Sequence, residues 1–322
     1  MNKWMNKLAM AWFGLALACA WAMPAQAAEK LNVGKAVPEA FSFVPLDVGI
    51  RTGIFAKHGV DVNSIAFAGD AKLQQAMVAG SLDIALGSGP AMAFIAKGSP
   101  IKAVGALTGA PSLMTIVVKY DGPIHAVEDL KGKKVSVSTV GSLTYWLTTE
   151  TSQREGWGNA GITVAPMGAM APQVAALMRG DIDGVVTDIA TALDLEARHQ
   201  ARIVIRFGDV IKDFHTNVIF ATDALISKRP QAVKAFLAGW YETIAYMSSH
   251  KAETVKISAD VMKKSDDISA KTYDVLMPIF STDGKFNPTA LTTLRKSYVD
   301  MKLLPSPPDM SKLIDPRFLP SR

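Results

Sequence analysis

Leu73–Pro90, LQQAMVAGSLDIALGSGP, recurs in degenerate form 100 positions later as Gln173–Ala190, QVAALMRGDIDGVVTDIA. Ala76 aligns with Ala176, Gly80 with Gly180 and Asp83 with Asp183, and the apolar positions Met77, Leu82, Ala85 and Leu86 align with Leu177, Ile182, Val185 and Val186. Each copy reads as an amphipathic helix that stops at a glycine, a short apolar strand, and a turn that opens another helix. Glycine suits the left-handed position just past a helix end, where a Cβ is penalised. The largely apolar runs IAL and VVT suit strands covered on both faces of a mostly parallel sheet. A spacing this long exceeds solenoid repeats of roughly 20–50 residues, so it implies two similar α/β lobes.

The rest of the chain extends the pattern. Leu31–Ala36 reads as a first strand, with Ser42 as N-cap of a helix to about Lys57, Pro45 in its first turn, and Val60–Ala66 as a second strand. Gly69-Asp70 caps the first repeat helix, Leu82–Leu86 is its strand, and Ile101–Leu107 and Leu113–Val118 are further strands. From Val127 the order restarts: a strand at Val135–Ser138, a helix opened by Gly141-Ser142, and Gly161–Ala165 matching Gly59–Asn63. A helix at Ile189–Gln200 and a strand at Arg202–Phe207 follow the second copy, and Asn217–Ala221 reads as a strand returning to the first lobe. Beyond it the chain turns helical, beginning with the apolar stripe Val233, Phe236, Leu237, Trp240, Ile244 and Met247, and Pro305–Pro320 is a proline-rich tail. The expected division is 28–117 with 218–322 as lobe 1 and 118–217 as lobe 2, with crossings near Val117–Tyr120 and Phe214–Asn217. Two crossings make a two-strand hinge, and parallel sheets bind ligands outside the carboxyl ends of their strands.

Residues 1–27 read as a signal peptide: Lys3 and Lys7 without an acid, the apolar run Leu8–Trp21, and the cleavage site Ala25-Gln26-Ala27. Lipoprotein processing at Cys19 is the weaker alternative, because Ala16 stands where a leucine is usual. Of the chain's 34 basic and 29 acidic residues the leader holds two and none, so cleavage lowers the formal charge from +5 to +3. Cleavage also removes Cys19, the chain's one cysteine, and with it any disulfide, thiolate ligand or cysteine nucleophile. A charge that small, without a basic-aromatic cluster, gives no case for nucleic acid. His58, His125, His199, His215 and His250 are dispersed, with no H-E-x-x-H spacing, so neither a metal nor another cofactor is expected.

The chain resembles the periplasmic solute-binding proteins of ABC importers in the nitrate/sulfonate/taurine group, which are related to thiamine-pyrimidine binding proteins. The resemblance rests on Pro45, Gly49, Gly53, Phe55, Gly59, Val60 and Val62 in their spacing, on Gly69-Asp70 with Ala76, Gly80 and Asp83, and on Asp129-Leu130, Gly132-Lys133 and Val135. It implies a type II periplasmic-binding-protein fold with extra C-terminal helices. It also implies a monomer that captures a small solute between its lobes in the periplasm and delivers it to a permease. The ATPase would be a separate chain, since no G-x4-G-K-[ST] occurs here. Gly49 and Thr187-Asp188-Ile189-Ala190 depart from the family pattern, and the second departure leaves the ligand class open.

The candidate ligand-binding residues follow from turn chemistry. Helix N-termini present unpaired N–H groups and partial positive charge to anions, which selects the turns at Gly69-Asp70, Ser88-Gly89 and Gly141-Ser142. Ser88 and Ser142 have an equally good reading as helix caps, and Gly89 and Gly141 would let a ligand approach the backbone. Phe41, beside Ser42, could stack on a ring or cover an apolar tail, although Phe41 or Phe43 also suits a hydrophobic staple. Thr108 could donate its hydroxyl at a strand end. Asp188 either caps the helix after it or faces a donor group such as an amine or aminopyrimidine. Asp83 and Asp183 read as turn-holding residues, and His215 with Asn217 as hinge residues. A sulfonate-like organic anion is the leading ligand and a pyrimidine or other nitrogenous ring the alternative. No catalytic residues are expected. Enzymes on the same fold depend on cysteines that the mature chain lacks, and a sensor domain is the remaining alternative.

Overall fold

The computed structural model describes residues 28–140 and 142–320. The signal peptide, Cys19 and Gly141 therefore lie outside the described residues. The first half contains β1 (Glu29–Lys35), α1 (Val44–Arg51), β2 (Val60–Ala66), α2 (Asp70–Val78), β3 (Ile84–Ser88), α3 (Met92–Ala96) and β4 (Ile101–Thr108). Next come β5 (Met114–Lys119), β6 (Lys134–Val137), α4 (Leu143–Arg154), β7 (Thr163–Pro166), α5 (Met170–Arg179), β8 (Gly184–Asp188), α6 (Ile189–Ala197) and β9 (Ala201–Arg206). After β10 (Asn217–Thr222) the chain is helical, with α7 (Pro230–Ser249), α8 (Lys251–Met262), α9 (Asp266–Leu276) and α10 (Pro288–Asp300).

Among the described residues, ten strands form two five-stranded sheets, ordered β2-β1-β3-β10-β4 and β7-β6-β8-β5-β9. The repeat is visible in this order. β3 and β8 start 100 positions apart at Ile84 and Gly184, each pairs in parallel with the strand two before it, β1 and β6, and each has an antiparallel neighbour on its other side. Those neighbours, β10 and β5, are the strands that arrive directly after each crossing. The preceding helices end at Gly80 (φ 74°) and Gly180 (φ 82°), as the left-handed position requires. Asp83 accepts the Asn32 N–H at 2.9 Å and Asp183 accepts the Lys134 N–H at 2.7 Å. These carboxylates pin β3 and β8 to the start of the adjacent strand.

Several boundaries differ from expectation. The chain crosses at residues 109–113, not near Val117–Tyr120, and Met114–Val117, expected in lobe 1, pair with β8 and β9 in the second sheet. The reason is local: Gly109-Ala110-Pro111-Ser112 is the turn-forming run, whereas Met114–Val118 is a buried strand with no break. The first helix ends at Arg51 and Gly53 takes φ 74°, so Ile54–Lys57 is a separate turn. The strand of the first repeat copy runs to Ser88, two residues further than expected, and α6 stops at Ala197. The proline-rich tail is pinned rather than loose. The Ala103 N–H donates to the Leu313 carbonyl at 3.0 Å, the Asp315 N–H donates to Ala103 at 2.8 Å, and Leu313 and Phe318 are buried.

One large apolar cluster fills lobe 1 and continues through Ile116, Val135, Val186, Trp146 and Phe214 of the second half. The opposite face of the second sheet, with Val117 and Val185, packs separately against Ala176, Leu177, Ala192 and Leu195 of α5 and α6. Among the described residues no helix is long and apolar enough to cross a membrane.

Asp183→Ala removes the carboxylate that accepts the Lys134 N–H and should lower stability by about 1–2 kcal/mol. Arg179→Ala breaks an exposed ion pair with Asp181 and should change it by less than about 0.5 kcal/mol. Thermal midpoints of the two variants check the contrast.

Candidate functional site

The strand ends and the two crossings meet in one polar region. Ser88, at the end of β3, caps no helix. Its N–H donates to Asp70 Oδ1 at 2.9 Å and its hydroxyl donates to Oδ2 at 2.7 Å. Asp70 and Ser88, chosen separately from the sequence, are thus one unit. Burial pushes the Asp70 carboxyl above the usual carboxylate range, partly offset by the two hydrogen bonds from Ser88. Gly87 permits this approach, because a Cβ there would lie 2.7 Å from Asp70 Oδ1. Gly69 precedes α2 with φ 102° and offers no side-chain cap.

At Gly89 a Cβ would sit 2.0 Å from the His215 carbonyl oxygen, and the Gly89 N–H donates to the Thr216 carbonyl at 3.0 Å. Its own carbonyl accepts from the Tyr298 hydroxyl at 3.2 Å. The close approach that glycine allows is therefore taken by the second crossing. Thr108 is buried and donates to Asn217 Oδ1 at 2.9 Å. Thr216 joins the crossings to each other, its hydroxyl donating to the Gly109 carbonyl at 2.7 Å.

Phe41 is buried, edge-on to Tyr273 of α9 at 6.5 Å and tilted against Phe280 at 6.0 Å. Ser42 does not cap the first helix as expected. Phe41–Phe43 forms a single 3-10 turn, and the buried Ser42 hydroxyl has no partner among the described residues. In the second half, Ser142 caps α4, accepting from the Tyr145 N–H at 3.2 Å while donating to the Thr139 carbonyl at 2.7 Å. Asp188 caps α6, accepting from the Thr191 N–H at 2.9 Å. One oxygen of Asp188 is thereby spent locally.

One residue of this region was missed in the sequence. Trp146, one turn after Ser142 on the same helix face, stacks on Phe214 of the second crossing at 4.6 Å and 9°. It is fully buried, and its indole N–H has no partner among the described residues. The signal was the i to i+4 spacing from Ser142, which puts Trp146 below the helix opening. His215, expected as a hinge residue, accepts the Asn287 N–H on Nε2 at 2.9 Å, so the proton of the neutral ring sits on Nδ1. That Nδ1 is buried without a partner among the described residues. Burial holds the His215 pKa down at about 4. Among the described residues no group of three His, Cys, Asp or Glu could hold a metal ion.

Two α/β lobes, joined by two crossings and carrying glycine-serine turns at their strand ends, define a periplasmic-binding-protein fold. The structure of the alkanesulfonate-binding protein SsuA from Xanthomonas axonopodis pv. citri bound to MOPS superposes with TM-score 0.77 at 17% identity, covering 91% of this chain and 100% of that one. The aliphatic sulphonate binding protein SsuA from Escherichia coli gives TM-score 0.76 at 18% identity, covering 89% and 92%. The nitrate-binding protein NrtA from Synechocystis PCC 6803 gives TM-score 0.65 at 14% identity, covering 88% and 84%. No curated protein matches the sequence. Residues 40–254 match the NMT1/THI5 like family, and the chain belongs to that family.

The neutral buried imidazole sets a pH dependence. Between about 4 and 6.5 the unfolded chain binds the His215 proton and the folded chain does not. This stability is complete above pH 6.5 and falls away toward pH 4, by ~3 kcal/mol at most. The raised Asp70 pKa acts in the opposite sense. His215→Gln keeps an acceptor for Asn287 but does not titrate, so the difference between the two chains' thermal midpoints should narrow as pH falls from 6.5 to 4.

Proposed function

We propose that the protein is the periplasmic substrate-binding component of an ABC importer. It captures a small sulfonate-like organic anion between its lobes and passes it to a permease served by a separate ATPase. The observation that carries the reading is the opening of α4, where the Ser142 cap and the first-turn N–H groups follow a strand end, with the buried, unpartnered indole N–H of Trp146 on the same helix. A helix N-terminus favours an anion without a cationic side chain, and the stacked Trp146 and Phe214 rings supply an apolar wall for an organic tail. The fold shared with sulfonate- and nitrate-binding proteins supports the same reading. The ligand set we propose is Phe41, Ser42, Gly69, Asp70, Ser88, Gly89, Thr108, Gly141, Ser142 and Asp188 from the sequence, extended by Trp146. The leader 1–27 directs export, and the protein acts as a monomer and as a receptor rather than an enzyme. A pyrimidine or other nitrogenous ring is the second reading, favoured by Phe41 and by the second oxygen of Asp188.

A thermal-shift screen against alkane and aryl sulfonates, nitrate, pyrimidines and amines tests this. A ligand at about 100 times its Kd adds roughly 2.7 kcal/mol, a shift of several degrees. Sulfonates should give the shift, and Trp146→Phe, which keeps the stack and removes the N–H, should weaken binding about fivefold or more. A shift with pyrimidines or amines alone replaces the anion reading with the second one.

A further inference from the structure

Helix α9 belongs by chain order to the C-terminal helices of lobe 1, yet it packs on both halves of the molecule. One side meets the 3-10 turn Phe41–Phe43, where Tyr273 stands edge-on to Phe41 and its hydroxyl is tied to the Met247 carbonyl at 2.8 Å. Another side packs on α6 of the second lobe. The division of apolar residues on α6 shows how. Ala192 and Leu195 belong to the cluster beneath that helix, whereas Ala190 and Leu193 belong to the large cluster that contains Ile268, Tyr273 and Leu276 of α9. Ala190, Leu193 and Asp194 are spaced i, i+3, i+4 and share one face. At its end, Lys264, two residues before α9, donates to Asp194 at 3.0 Å, and Arg198 holds the other oxygen of Asp194 at 2.9 Å. Both side chains of the Lys264–Asp194 pair are mostly shielded, so solvent screens it less than a surface pair. The covalent links between the lobes are the two crossings. A rotation about them that opens the cleft must therefore break the α6–α9 face if α9 stays seated on Phe41.

We propose that α9 is a strap that holds the two lobes closed, through Leu193 packing and the Lys264–Asp194 ion pair, and that it couples closure to the pose of Phe41. The proposal rests on the hinged-capture reading above. It also assigns Lys264 and Asp194, which lie outside the ligand-binding set, to the energetics of capture. A strap of this kind favours the closed form before ligand arrives, which raises apparent affinity for whatever fits the cleft.

The test is a distance measurement that needs no ligand. In the full-length chain, Cys19→Ser leaves no other thiol, and Lys72→Cys with Ala175→Cys place spin labels on exposed positions of α2 and α5. Pulsed electron paramagnetic resonance should give mainly one distance population in this parent. Lys264→Met, and separately the partly exposed change Leu193→Ser, should raise the open-to-closed ratio about fivefold, equivalent to about 1 kcal/mol. Lys264→Arg should keep the parent distribution. Identical distributions in all four chains overturn the strap. The sulfonate screen is independent. Distances that shift in a chain that binds no sulfonate leave the strap standing and remove the anion reading, and binding without any distance change does the reverse.

Discussion

Each sheet of this protein is completed by a strand delivered from the other half of the chain. β5 arrives from lobe 1 and inserts antiparallel between β8 and β9, and β10 returns from lobe 2 and inserts between β3 and β4. Both are interior strands, with ladder hydrogen bonds on two sides and side chains buried on both faces. Every residue of β10 is buried, and β5 is exposed only at Lys119. A central strand cannot be withdrawn without leaving two rows of backbone groups unpaired, each costly away from water. The lobes are therefore separate bodies with interlocked sheets, and motion between them is confined to the short segments outside the ladders.

Those segments are also where polar chemistry gathers. Thr216 bonds to both Thr108 and Gly109 through its N–H, at 3.2 and 3.1 Å, so the crossings brace each other where they pass. His215 and Phe214 alternate in direction from the same strand entry, one toward Asn287 and the other onto Trp146. Asp70 and Ser88 close a polar contact beside them, within reach of the backbone at Gly87. Among the described residues the Ser42 hydroxyl, Trp146 indole and His215 Nδ1 are buried without partners, as are side-chain groups of Gln74, Thr187, Arg202, Trp240, Thr254 and Ser269. Buried donors without partners carry a desolvation cost.

Much of the architecture was legible in the sequence, because periodicity and turn chemistry act over a few residues. Gly80 and Gly180 end their helices in the left-handed conformation, and Asp83 and Asp183 hold the same strand starts in both lobes. The site was legible in part. Ser142 and Asp188 cap their helices, one of the two roles open to each. The pairing of Asp70 with Ser88 was invisible, although both were selected, because it joins residues 18 positions apart through a strand that ended two residues later than its apolar run suggested. Trp146 went unread because a tryptophan four positions into a helix looks like core until Phe214 is placed against it.

By itself the sequence determined the duplicated lobe, the helix stops, the strand-end turns and the absence of any thiol after the expected leader. These depend on residue type and local spacing. Only the tertiary structure decided that the chain crosses at 109–113, that Gly89 serves the His215 carbonyl, and that α9 reaches the second lobe. Each of these depends on contacts between residues about 70 to 130 positions apart, where the position of the partner follows from topology and close packing rather than from local pattern.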